Sequence, residues 1–127
     1  MKGRMITPGT AQGEAIVSRD PIGFYGGIDA KSGRVIEKGH PLEGQSVTGK
    51  VLVFPCGKGS TVGSYVIYGL KRNGVAPAAI VNKETETIVA TGAILAGIPC
   101  IDKIDIDKIN TGDKLRVDAN NATIEVE

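Results

Sequence analysis

Three hydroxyls, those of Ser60, Thr61 and Ser64, lie in the run Pro55-Cys56-Gly57-Lys58-Gly59-Ser60-Thr61-Val62-Gly63-Ser64, the stretch best suited to chemistry. Gly57 and Gly59 let backbone N–H groups approach a ligand closely. A helix starting just after them would turn unpaired N–H groups and a partial positive charge toward it. That setting suits an anion, or an alkoxide formed from a serine. The same hydroxyls have an ordinary use, because Ser and Thr are favoured helix N-caps. The local sequence leaves both readings open. Lys58 would meet a carboxylate or phosphate, or simply stand in water. Two familiar phosphate loops do not fit. A P-loop needs Gly, four residues, then Gly-Lys-Ser/Thr, but Gly57-Lys58 runs into Gly59 and position 52 is Leu52. A dinucleotide turn needs a third glycine where Val62 stands.

Other candidates are few. His40 is the single histidine, in a Gly39-His40-Pro41 loop, and is expected to be an ordinary solvated side chain. Cys56 and Cys100 are too few for a disulfide framework or a four-ligand zinc site. Both are expected to act as small hydrophobes, and no metal-ligating residue is expected in this chain.

The elements that must position the glycine-rich run can be read around it. Val51 to Phe54 is a short buried strand. Tyr65 to Asn73 reads as a helix, with Lys71 and Arg72 in its last turn and Gly74 beyond it. Pro77 to Asn82 is a buried strand, Thr87 to Ala96 a second helix ended by Gly97, and Pro99 to Asp102 the next strand. Two strand–helix–strand crossovers in succession imply parallel strands with right-handed connections. Strands are also expected at Arg4 to Thr7 and Glu14 to Ser18. Lys114 to Asp118 and Thr123 to Glu127 alternate apolar and polar residues on either side of Ala119-Asn120-Asn121-Ala122, which reads as a hairpin. The fold class is α/β: one layered domain over residues 1–127, with a parallel core and antiparallel strands at both chain ends.

Composition narrows the function. Fifteen basic and 14 acidic residues are interspersed, for a net charge of +1, and only 4% of residues are aromatic. There is neither a basic stripe nor a stacking platform, so nucleic acid is not an expected partner. No apolar run is long enough for a membrane span. Lys2 and Arg4 lead into Thr7-Pro8-Gly9, not into a signal-peptide core, so the cytosol is the expected compartment.

Glu14-Ala15, Tyr25-Gly26-Gly27-Ile28-Asp29, His40-Pro41-Leu42, Gly57-Lys58-Gly59-Ser60 and Pro77-Ala78-Ala79-Ile80 occur in an order that resembles the small subunit of aconitase X-type dehydratases. The resemblance covers essentially the whole chain and is nearest to the archaeal phosphomevalonate dehydratase branch. It implies the swivelling β/β/α domain of the aconitase small subunit. It also implies dehydration of (R)-5-phosphomevalonate to trans-anhydromevalonate 5-phosphate, a step of an archaeal mevalonate pathway. A separate large subunit would carry a four-iron, four-sulfur cluster on three cysteines, whose Lewis-acidic iron takes the departing hydroxyl. By position in Gly-x-Gly-Ser, Ser60 would be the catalytic base, with Gly57, Lys58, Gly59, Thr61 and Ser64 around the substrate. Aconitase and isopropylmalate isomerase follow this serine with Ser-Arg-Glu-His, whereas Thr61-Val62-Gly63-Ser64 lacks the arginine. That favours the aconitase X branch, in which cis-3-hydroxyproline dehydratase is the nearest alternative. Phosphohistidine swivel domains share Ala-Gly-Ile-Pro, here Ala96 to Pro99, but Thr87 to Thr91 lacks their histidine. A non-catalytic binding module is the remaining alternative.

Overall fold

The computed structural model describes all 127 residues. Its elements are β1 (Arg4–Thr7), β2 (Thr10–Val17), β3 (Val51–Phe54), α1 (Gly63–Arg72), β4 (Ala79–Asn82), α2 (Thr87–Ala96), β5 (Cys100–Asp102), β6 (Lys114–Asp118) and β7 (Thr123–Val126). They build one mixed sheet in the order β1-β5-β4-β3-β2-β6-β7. β2, β3, β4 and β5 are mutually parallel neighbours, with Leu52 opposite Ile16 on one side and Ile80 on the other. β1 is antiparallel to β5, β6 to β2, and β7 to β6.

The parallel centre follows from residues that find cover on both faces of the sheet. Leu52, Phe54, Ile80 and Cys100 pack toward α1 and α2, meeting Ile67 and Leu70 of α1 and Val89 and Ala93 of α2. Their neighbours Val51, Val53, Ala79, Val81 and Ile101 face the other way. There the sheet curls around Ile104, Ile106, Ile109, Leu115, Val117 and Ile124. Burying each of the larger side chains contributes about 1.5–3 kcal/mol. The curl nearly closes into a barrel. Lys2 bridges Thr123, the Gly3 N–H donates to the Ala122 carbonyl (2.8 Å), and the Ile124 N–H donates to the Met1 carbonyl (2.9 Å).

Both expected crossovers, β3-α1-β4 and β4-α2-β5, are present, and the C-terminal hairpin is formed by β6 and β7. Three details differ from the sequence reading. α1 begins at Gly63, and its N-cap position is Val62, which caps with no side chain, so none of Ser60, Thr61 and Ser64 is the N-cap. β2 starts at Thr10 instead of Glu14 because pairing with β6 carries it back through Gly13 and Gln12. His40 is not solvated: it is 7% exposed. Its Nδ1 accepts from the Leu42 N–H (3.1 Å), which leaves Nε2 to donate to the Pro21 carbonyl (3.2 Å). The ring pins the 37–43 turn to the segment that follows β2.

Candidate active site

The glycine-rich run leaves the carboxyl end of β3, the edge at which parallel sheets bind ligands. Segments leaving β2 and β4 hold it from both sides. The Ile22 N–H donates to the Cys56 carbonyl (3.2 Å) and the Lys58 N–H to the Ile22 carbonyl (3.1 Å). The Pro55 carbonyl accepts from both Lys83 and Glu84, each at 3.1 Å. Behind the loop, Glu86 caps α2 with both carboxylate oxygens, to the N–H groups of Ile88 (2.7 Å) and Val89 (2.9 Å). Gly57 lies against that cap. A Cβ there would collide with the Glu86 carboxylate and come within 2.7 Å of Val89 Cγ2. Gly59 has φ +86°, a left-handed conformation that glycine adopts freely and that turns the chain toward Ser60.

Ser60 is exposed, and its Oγ accepts the N–H of Val62 (3.1 Å). The N–H groups of Gly59, Ser60 and Thr61 donate to no acceptor in the chain. The first N–H groups of α1 itself, those of Gly63, Ser64 and Tyr65, donate to the Ser60, Thr61 and Val62 carbonyls. It is therefore the loop leading into α1 that carries three consecutive N–H groups without an acceptor, beside a hydroxyl bonded by that of Val62. Donors in this arrangement favour negative charge on or near Oγ. Thr61 is exposed and its hydroxyl is unengaged. Ser64 is different: it is buried, and its hydroxyl donates to the Ile88 carbonyl (2.8 Å), tying α1 to α2. Lys58 extends outward to Glu37, Nζ to Oε2 3.2 Å. The structure thus gathers Lys58, Gly59, Ser60 and Thr61 at the surface. Gly57 is buried against the Glu86 cap and the Ser64 hydroxyl is occupied beneath, so these two, expected around the substrate, do not face a ligand.

Sequence reasoning did not find the polar network under this loop. Asp102 is fully buried at the end of β5, accepting from Arg4 Nε (2.9 Å), Arg4 Nη2 (2.7 Å) and the Thr85 N–H (2.9 Å). The Thr85 hydroxyl donates to Asn82 Oδ1 (2.8 Å), and Asn82 Nδ2 donates to the Phe54 carbonyl (3.0 Å), the last residue before the loop. Burial pushes the Asp102 carboxyl up, but the bonds from Arg4 and Thr85 and the guanidinium charge outweigh it and hold the group below the usual carboxylate range. A charge ending the apolar run Pro99-Cys100-Ile101 was the available signal. Glu86 escaped notice because Ser, Thr, Asp and Asn are the usual caps.

The cysteines are not a metal site. Cys100 lies in the core, where burial raises its thiol to about 12 against a weaker opposing bond from Thr85. Cys56 is half-buried. No three His, Cys, Asp or Glu side chains converge anywhere in the chain, so its residues do not fit an iron–sulfur cluster. No helix is long and apolar enough to cross a membrane.

The chain is similar to known proteins along its whole length. The family model of the aconitase X swivel domain matches residues 1–126. The phosphomevalonate dehydratase small subunit of Thermococcus onnurineus is 57% identical over 127 residues, covering 100% of this chain and 98% of the relative. That of Thermococcus kodakarensis is 56% identical over 126 residues, covering 99% and 95%. The crystal structure of Thermococcus kodakaraensis aconitase X in its holo-form superposes with a TM-score of 0.98 at 56% identity, over 99% of this chain and 96% of that one. This chain belongs to the aconitase X swivel-domain family.

Proposed function

We propose that this chain, one swivel domain over residues 1–127, is the small subunit of a cytoplasmic hydro-lyase that dehydrates (R)-5-phosphomevalonate to trans-anhydromevalonate 5-phosphate. The names of its relatives support the assignment. The observation that carries it is Ser60, with the Val62 N–H on its Oγ and three unpaired backbone donors beside it.

A serine hydroxyl is a weak base unless its alkoxide is stabilised, and the Val62 N–H already on its Oγ supplies that stabilisation. The Ser60 alkoxide takes the proton from the substrate carbon. The C–H electron pair becomes the new double bond, and the neighbouring hydroxyl departs with its own pair. The proton on Ser60 and the departing hydroxide together account for the water released. Lys58 and the N–H groups of Gly59 and Thr61 hold an anionic group of the substrate, and Gly57 keeps the loop seated on Glu86. Ser64 serves the site from below by fixing α1 against α2.

The reaction needs a partner, because the four-iron, four-sulfur cluster that the family resemblance implies finds no ligand set here. We assign it to a large subunit docked over the loop. Exposed apolar side chains beside the loop support this position: Val62, Tyr65 (69% exposed) and Leu95 (49%) line one groove with Thr61, and Tyr25 (61%) has its backbone against Gly63. Side chains of this type at an exposed catalytic edge suit an interface core. Anaerobic co-purification with the cluster-bearing subunit, followed by assay of phosphomevalonate dehydration, tests the proposal. Turnover by the pair and none by either chain alone is the expected result. Failure to pair, or dehydration by the isolated chain, overturns it.

A further inference from the structure

Resting on that reading, the geometry points to Glu37 as a positioning residue for Lys58: it holds the ammonium in place and yields it to an anionic oxygen group of the substrate.

Glu37 is placed by the Tyr25-Gly26-Gly27 turn. The Gly27 carbonyl accepts from the N–H groups of both Ile36 (2.8 Å) and Glu37 (3.3 Å). Gly27 in turn packs against the Gly23 carbonyl so closely that a Cβ would collide with it, and such a Cβ would lie 3.5 Å from Glu37 Oε1. The Lys58 stem runs over Gly23, where a Cβ would meet its Cγ at 3.4 Å and its Cε at 3.6 Å. The two glycine positions thus form a floor under both partners. The ammonium is directed to the Glu37 carboxylate at 3.2 Å.

The pair adds little to stability. Lys58 is 49% exposed and Glu37 33%, and open ion pairs of this kind are weak. Its place two residues from Ser60 gives it a different use. A long, flexible ammonium is kept oriented above the loop while no substrate is bound. A phosphate or carboxylate oxygen reaching the free N–H groups of Gly59 and Thr61 then competes with Glu37 for it. Glu37 also raises the threshold for entry, since a weak anion does not displace it.

The test is a double-mutant cycle on the full chain: Glu37→Gln, Lys58→Ala and both together. Amide signals of Gly59 and Ser60 are followed by NMR during titration with inorganic phosphate and, in a parallel arm, acetate. Glu37→Gln should bind the anion about 1.4- to fivefold more tightly, the range open to an exposed pair. Lys58→Ala should weaken binding, and Glu37→Gln should add nothing once Lys58 is gone. A larger gain with phosphate assigns the phosphate end of the substrate to Lys58, and a larger gain with acetate assigns its carboxylate. Unchanged or weaker binding in Glu37→Gln, an equal gain with and without Lys58, or no amide response in any of the proteins overturns the inference. In the assembled enzyme, Glu37→Gln should lower KM more than it changes kcat. If the assembled enzyme were inert toward phosphomevalonate while Glu37→Gln still tightened phosphate binding, the substrate assignment would fall and this one would stand.

Discussion

The three hydroxyls of the loop and helix head can be separated by reading each alanine variant in two assays. Ser60→Ala frees the Val62 N–H at an exposed position where water replaces the lost partner, so its stability cost should be about 0.5–1 kcal/mol. Ser64→Ala removes a buried bond between helices and should cost somewhat more, about 1–2 kcal/mol. Thr61→Ala breaks nothing and should lie within about 0.5 kcal/mol of the parent. Turnover should follow a different order. Loss of the base lowers kcat at least ~10²-fold, equivalent to about 2.7 kcal/mol of transition-state stabilisation. Thr61→Ala and Ser64→Ala should each stay within about tenfold of the parent. Urea melts of the chain give the first set of values, and anaerobic steady-state kinetics of the reconstituted pair give the second. If Ser60→Ala in a fully assembled complex retained kcat within threefold, the proton would be going elsewhere. If Ser64→Ala were instead the silent variant in stability and the dead one in turnover, the packing argument would fail with it.

Gly57→Ala should destabilise the chain by about 1–3 kcal/mol, because the added methyl must displace the Glu86 cap or the loop itself; a melt unchanged from the parent's would contradict that contact. Asp102, held below the ordinary carboxylate range, contributes stability that is present above about pH 4 and is lost as the pH falls further. Asp102→Asn should therefore be less stable than the parent at neutral pH and lose less on acidification, which pH-resolved urea melts will show. Cys100 should resist alkylation in the folded chain at pH 8, where its thiol stays protonated, and become reactive only in denaturant. Tyr65→Glu should leave folding intact and weaken pairing with the large subunit by at least ~10-fold, measured by anaerobic co-purification and titration.

Local patterns in the sequence resolved the centre of the fold well. Val51–Phe54 and Thr87–Ala96 match the structure residue for residue because each is a short, largely apolar segment preceded by a charged residue and ended by Pro55 or Gly97. The place of the loop was legible for a related reason: Gly57 and Gly59 between a buried strand and a helix mark the turn out of β3. What the sequence hid depends on partners distant along the chain. Nothing near His40 announces that Pro21 will accept from its ring. Nothing near Arg4 announces Asp102. β2 was read short because Thr10 to Gly13 is weakly apolar and becomes a strand only through β6. Whether a hydroxyl caps α1 was left open by the sequence, and none does because Ser60 spends its oxygen on the Val62 N–H, before the helix begins at Gly63.

The nearly closed sheet also sets the order in which the molecule can form. β1 pairs with β5, and β2 with β3 and β6, so Arg4 waits for Asp102 and Thr10 for Asp118. During synthesis β1 has no partner until β5 has emerged, and the Thr10–Glu14 half of β2 has none until β6. Ala15–Val17 can pair with β3 early, and β3-α1-β4-α2-β5 can assemble from neighbours. Closing such long loops is entropically expensive, and topologies rich in distant pairings fold slowly. The crossover unit that presents Ser60 would then form first, and the seam between residues 1–3 and 122–124 last. A nascent chain would carry a shaped catalytic edge before it had a finished barrel, with its first strands still open to pairing with the wrong neighbour.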